Sequence, residues 1–481
     1  MTAISHPAVA RELNALMRSE ITLELGFGDS NDKRNGEGSD LWRNKHLADT
    51  YGLAASHAIS PVENANAGAY TDFAPEQERY KCALSYNRTN LQAQGGLAKT
   101  AASPHWKTMP GSLDQDATDA DLGRLGLNSY LYFPNGVTFT PTSATQRSSL
   151  LIDALHPVVS GAGTRNLRAL FAWAGFSTGS GSFRPYLVEP NVESAVINTN
   201  TGADDFRVTA MDFTHTAGGQ LRTQWNKSIP TIVTIVGPFI GYWSCVVDRD
   251  ATAGVIPVDF AARGGGWSVQ DIVRAIGSDD VAQTGQSDTP FNDLFSMFDG
   301  TAIDESSTAI AQIVGPSKVA VCWVTSAIND ANIAPSTLTS LGPAPADSST
   351  IAGYKDNLRA FVKRTRRIAT AKGWRPFVVL RASHPRTIND SVLVPYRTAV
   401  TDVAGEFPDC FAIDMSQLIS ADDILAQGLY ESGGLTETNQ SHFTIGAGGG
   451  YDVTSRLLIN AISMISSGPR RNRGIRGARS R

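Results

Sequence analysis

Cysteine is scarce and scattered in this chain. Its four cysteines, Cys82, Cys245, Cys322 and Cys410, form no CxxC pair, which argues against a zinc site and against a disulfide framework, and leaves buried free thiols as the expectation. Long hydrophobic runs are missing as well: no apolar stretch approaches the roughly 20 residues that a membrane span requires. The N-terminal segment MTAISHPAVARELNALMRSE is polar and amphipathic, without the basic start and unbroken apolar core of a signal peptide. The expected location is therefore cytoplasmic or virion-associated. Charge is low, at 18% of residues, so extended solvated charge runs are excluded from most of the chain. The histidines show no metal-ligand spacing, and GAGTRNL and GAGGGY fall short of a dinucleotide fingerprint. No metal or organic cofactor is expected.

The net charge of -5 hides one asymmetry, the C-terminal stretch GPRRNRGIRGARSR with six arginines, Arg470, Arg471, Arg473, Arg476, Arg479 and Arg481. With nothing apolar to bury, residues 468–481 read as a disordered tail. Such a tail can grip nucleic acid or an acidic partner, or serve only solubility or assembly into a homo-oligomer or virion. The remaining length is enough for two or three domains.

Along the chain, ITLELGFG reads as a strand and SDLWRNKHLADTYGL as a helix. From about residue 65 to 253 short apolar runs such as YLYFPNGVTF, LRALFAWAGF, FRVTAMDFTH and TIVTIVGPFIGYWSCVV alternate with Gly, Ser, Thr, Asn and Asp clusters, the pattern of an antiparallel sandwich or barrel. From residue 254 strands and helices alternate: VIPVDFAAR, the helical WSVQDIVRAI, KVAVCWVTS, the long helix YKDNLRAFVKRTRRIATAKG, PFVVLRAS, the helical VLVPYRTAVTDVAGEF, CFAIDM and a last helix through VTSRLLINAISMI. That alternation predicts a doubly wound parallel sheet, whose first strand is supplied by ITLELGFG far upstream. One α/β domain, 1–64 and 254–467, is thus expected to be interrupted by a β-rich domain over 65–253.

In an open parallel sheet, ligands bind beyond the carboxyl ends of the strands. Ser30 of GDSND follows the first predicted strand, where it can be a nucleophile or simply a helix N-cap. Gly264, Gly265 and Gly266 follow the second, Asn329 and Asp330 of AIND follow the third, and His442 of NQSHFT precedes the last helix. A hydroxyl, a backbone amide, a side-chain amide and an imidazole are the parts of an acyl-transfer site, since a serine needs an adjacent base and imidazole titrates near neutrality.

These blocks, in this order, resemble those of the SGNH (GDSL-type) hydrolases over about 250 residues, and the resemblance implies a flavodoxin-like α/β fold. It also implies that Ser30 attacks an ester carbonyl, that His442 is its general base, and that the Ser30 amide, the Gly266 amide and the Asn329 side chain form the oxyanion hole. Two positions depart from the family pattern. Ala327 stands where GxND has glycine, and Asn439 stands where an aspartate usually precedes the histidine by three residues. Asn439 can orient the imidazole but supplies no charge, so the expectation is a Ser-His dyad assisted by Asn439, a rescue by another carboxylate such as Glu437, or a weakened enzyme. His384 of VLRASHPR rivals His442. Ser177, in GFSTG, matches a nucleophile elbow formally but is followed by strand-like sequence rather than a helix, so a hairpin turn is the better account. The family's substrates include acetylated sugars, and an O-acetylated polysaccharide is the first expectation here. The alternative is a structural or glycan-binding virion-type protein that uses the hydrolase fold as a scaffold.

Overall fold

The computed structural model describes residues 3–28, 31, 39–56, 83–84, 105–108, 129–133, 138–139, 149–152, 163–187, 191–216, 221–225, 235–262, 268–281, 288–325, 328–332 and 346–465. Chain termini and the segments around Ser30, Gly266 and Cys82 lie outside that set.

Helix α1 (Pro7–Ser19) leads into strand β1 (Ile21–Gly28), and every residue of β1 is buried. Full burial on both faces is the condition of a central parallel strand. Helix α2 (Ser39–Tyr51) follows. After it come the antiparallel sheets, whose longest strands are β2 (Thr164–Ala174), β3 (Phe206–Thr216) and β4 (Phe239–Asp248). Strand β5 (Gly254–Ala262) returns the chain to the parallel sheet, which β6 (Val319–Thr325), β7 (Arg375–Arg381) and β8 (Cys410–Ile413) complete. The order β5-β1-β6-β7-β8 is the flavodoxin-like 2-1-3-4-5 arrangement of a doubly wound sheet. The expected fold class is present: a parallel α/β sheet interrupted in sequence by antiparallel β structure.

The helices are α3 (Val269–Ile276), α4 (Thr289–Asp299), the short α5 (Ile328–Asn332), α6 (Ile351–Ala371), α7 (Asp390–Ala404), α8 (Ala421–Ala426) and α9 (Gly450–Ser463). Ser268 starts α3 with a reciprocal capping box to Asp271, which satisfies two otherwise orphaned amides. Beside β1, strand β5 carries a bulge: Gly26 pairs with Asp259 and Phe27 with Ala261, so Phe260 is passed over. Bulges re-aim a strand end next to a functional loop.

The antiparallel part is joined to the α/β part by a shared core. Strands β2 and β3 pair along their whole length, from Thr164 with Thr216 to Ala174 with Phe206, and β4 flanks β2 on the other side. Leu170, Ala172, Val208 and Trp243 belong to the same buried cluster as Ile256, Phe291 and Phe295 of the α/β part. The Ser56 amide donates to the Val246 carbonyl, and the Ser56 hydroxyl accepts from the Val246 amide. Arg207 donates to the Asp304 carbonyl at 2.7 Å. On the opposite face of β2, Phe171 and Trp173 pack in an aromatic group with Phe183, Trp225 and Phe239. No helix among the described residues is long and apolar enough to cross a membrane. Of the cysteines, Cys245, Cys322 and Cys410 are buried free thiols, and Cys82 lies outside the described residues.

Candidate active site

The carboxyl edge of the sheet is a run of matched strand ends: Gly28 opposite Ala262, Phe27 opposite Val324, and Thr325 opposite Arg381. The segments that leave this edge carry the residues singled out in the sequence. Ser30 and Gly266 lie outside the described residues, so the edge is built from their neighbours.

Asn31, the residue after Ser30, is buried, and its side-chain Oδ1 accepts from the Tyr451 hydroxyl at 3.2 Å. Tyr451 lies in the first turn of α9, so the loop after β1 is tied to the helix that follows His442. The AIND segment is tied in turn to the loop after β5. Asp330 accepts the Val269 amide at 3.0 Å, one of the orphan donors at the start of α3. Asn329, beside it in α5, is buried.

His442 sits on a short antiparallel pairing made by two segments of the same chain stretch. The Glu431 amide donates to the His442 carbonyl at 3.0 Å, the Thr444 amide donates to the Leu429 carbonyl at 2.8 Å, and Tyr430 bridges to Phe443. Phe443 then packs its ring on Tyr451 at 5.4 Å, edge on, and on His384 at 4.1 Å. This aromatic packing fixes the loop that carries the imidazole. Nδ1 of His442 faces the Glu431 carboxylate at 3.7 Å, and both side chains are partly exposed.

The two partners foreseen for the histidine are placed differently. Asn439 begins a 3₁₀ turn, Asn439–Ser441, in which its backbone amide donates to the Thr436 hydroxyl. Among the described residues no hydrogen bond joins its side chain to His442. Glu437 is held by Arg386, 3.2 Å away, and by the Asn389 side-chain amide at 2.6 Å. Glu431 had no local signal in the sequence, because only the fold of the 429–444 segment brings it opposite the histidine.

His384 follows β7 on the same edge, but it is buried and its Nε2 is 2.8 Å from the Gln440 carbonyl. Burial pushes its pKa down to about 3, against the upward pull of that carbonyl, with Arg381, Arg386 and His442 adding to the fall. A folded pKa below the unfolded value means that the unfolded chain binds the extra proton. Stability from this group is therefore present above about pH 6.5 and is lost as pH falls from there toward about 3. We expect a slope of roughly 1.4 kcal/mol per pH unit inside that window, measurable by denaturant titration between pH 7 and pH 5. The slope should flatten in His384→Gln.

A second buried histidine, His46 of α2, lies 2.6 Å from Asp452 of α9, whose other oxygen accepts the Gly448 amide at 2.7 Å. Burial holds the His46 pKa below the usual imidazole value in spite of the carboxylate. Ser177 is exposed in the loop after β2, where its amide donates to Asp204 and no helix follows. No group of three or more His, Cys, Asp or Glu side chains among the described residues could hold a metal ion.

No protein-family model and no curated protein matches the chain. Among solved structures, a peptidoglycan O-acetylesterase aligns over 95% of this chain and 95% of its own, at 12% identity and a TM-score of 0.48. A salicylyl-acyltransferase from a tetracycline biosynthetic pathway covers 76% of this chain and 95% of its own, at 11% identity and a TM-score of 0.24. A family 35 carbohydrate-binding module from Cellvibrio japonicus Abf62 covers 32% of this chain and 96% of its own, at 13% identity and a TM-score of 0.18.

Proposed function

We propose that the chain is a serine ester hydrolase in which Ser30 is the nucleophile and His442 its general base. The observation that carries this reading is the placement of His442. It stands on the loop before α9, which is bonded through Tyr451 to the residue next to Ser30, and its Nδ1 faces a carboxylate, leaving Nε2 for the serine. Attack of Ser30 Oγ on the ester carbonyl passes its proton to Nε2, and the same proton then goes to the departing alcohol. Water repeats the sequence on the acyl-enzyme and releases the acid. The Ser30 and Gly266 amides and the Asn329 side-chain NH₂ are the donors for the oxyanion, each worth about 3 to 4 kcal/mol when aimed at the developing charge.

For the substrate we propose an O-acetylated carbohydrate. The support is the serine ester chemistry proposed for the site together with antiparallel β-sheets packed into the same core as the α/β part. Incubation with an O-acetylated polysaccharide should release acetate, and a fluorophosphonate probe should label Ser30. The Asn329→Ala variant should lose on the order of 10² to 10³ in kcat, with KM little changed. Failure of the probe to label Ser30, together with no turnover of any acetyl ester, would falsify the hydrolase reading.

A further inference from the structure

We infer that Glu431 is the positioning carboxylate for His442, taking the part that Asn439 does not fill. The inference rests on the ester hydrolase reading above and names the third member of its site. Three observations converge on Glu431. Its oxygen is 3.7 Å from Nδ1 of His442, the nitrogen that must be held if Nε2 is to serve the serine. Its backbone amide is bonded to the carbonyl of the same histidine at 3.0 Å, so the two residues are fixed opposite each other by main chain rather than by long side chains. The carboxylate nearest in sequence to the histidine, Glu437, is already engaged by Arg386 and Asn389.

A separation of 3.7 Å is that of an ion pair and exceeds a hydrogen bond. Catalytic contacts often close only when charge develops, and the imidazolium formed as Ser30 is deprotonated is what would draw the carboxylate in. Glu431 then does what the buried aspartate does in a serine triad: it selects the tautomer with hydrogen on Nδ1 and stabilises the imidazolium.

His442 is also electrostatically coupled to its neighbour His384. His384, from the loop after β7, is neutral through burial, and Arg381, Arg386 and His442 each disfavour a positive charge on its own ring. Arg386 is partly offset by Glu437, which lies on the loop that carries His442. Glu431 faces His442 directly at Nδ1.

The decisive measurement is the titration of the His442 ring by NMR in the full chain, with its resonance assigned by loss in His442→Asn. In Glu431→Gln the His442 pKa should fall by about one unit, as expected when a nearby opposite charge is removed. The acid limb of the pH profile for p-nitrophenyl acetate should move with it, and kcat should drop on the order of 10- to 100-fold. Glu431→Asp should recover part of both, and Asn439→Ala should leave the titration where it was. An unchanged titration in Glu431→Gln would overturn the inference while leaving the serine chemistry intact. A shifted titration in a parent protein that hydrolyses no ester would support the pairing and remove the hydrolase reading.

Discussion

Ser30→Ala should lower kcat for a small acetyl ester by on the order of 10⁴ to 10⁶, the scale seen when the nucleophile of a serine hydrolase is removed. The same substitution also tests the plainer role of this serine. If Ser30 serves only as a helix N-cap, alanine would cost about 1 kcal/mol of stability and leave any activity untouched. Ser30→Asn separates the two roles, because asparagine caps as well as serine and cannot form an acyl-enzyme. We expect Ser30→Asn to be as inactive as Ser30→Ala, with the stability of the parent retained. Hydrolysis that survives in both variants would place the nucleophile elsewhere. Folding measurements on the three proteins complete the comparison.

The sheet was legible because its strands are short, largely apolar segments that alternate with helical ones. KVAVCWVTS carries the signature of burial on both faces, whereas ITLELGFG alternates through Thr22 and Glu24; both β1 and β6 are buried throughout. The long antiparallel strands were equally visible in LRALFAWAGF, whose first eight residues lie in β2, and in FRVTAMDFTH, which falls within β3. Residues next to strand ends could be nominated from position alone, since a parallel sheet gathers its loops at one edge. Pairings made across the fold could not. Asp330 was visible as part of AIND, but not its bond to the amide that opens α3. Glu431 faces His442 only because the chain doubles back between them through a 3₁₀ turn with three positive-φ residues, Ser432, Gly433 and Gly434. Helix α4, TPFNDLFSMFD, was missed, although Phe291, Leu294, Phe295 and Phe298 stand at the i, i+3, i+4, i+7 spacing of a buried helix face.

The largest stability effect we expect comes from a pair that β1 carries deep beneath the site. Glu24 is 1% exposed, and its Oε1 accepts from Arg43 Nε of α2 at 2.7 Å. The guanidinium lies over the ring of Trp323, with its carbon 5.7 Å from the centroid. Gly26 makes room for it, since a Cβ at that position would come within 2.7 Å of Arg43 Nη2. The Cys322 thiol on the neighbouring strand is pushed up by burial, and the Glu24 carboxylate adds to the rise, which fits a charge held in a poorly solvated interior. Removing one member of a buried ion pair strands the other, at a cost of about 3 to 5 kcal/mol, whereas replacing both with apolar groups of similar size can be neutral. Arg43→Met should therefore destabilise the fold by that amount near neutral pH, read from the denaturant midpoint at constant m. Part of the loss should return as pH falls toward 4 to 5, because a buried carboxylate deprived of its cation is more readily protonated than in the unfolded chain. Glu24→Leu combined with Arg43→Met should recover most of the remainder. A loss below about 1 kcal/mol in Arg43→Met would mean that the pair behaves as a solvated one, and that β1 does not depend on it to hold the loop bearing Ser30.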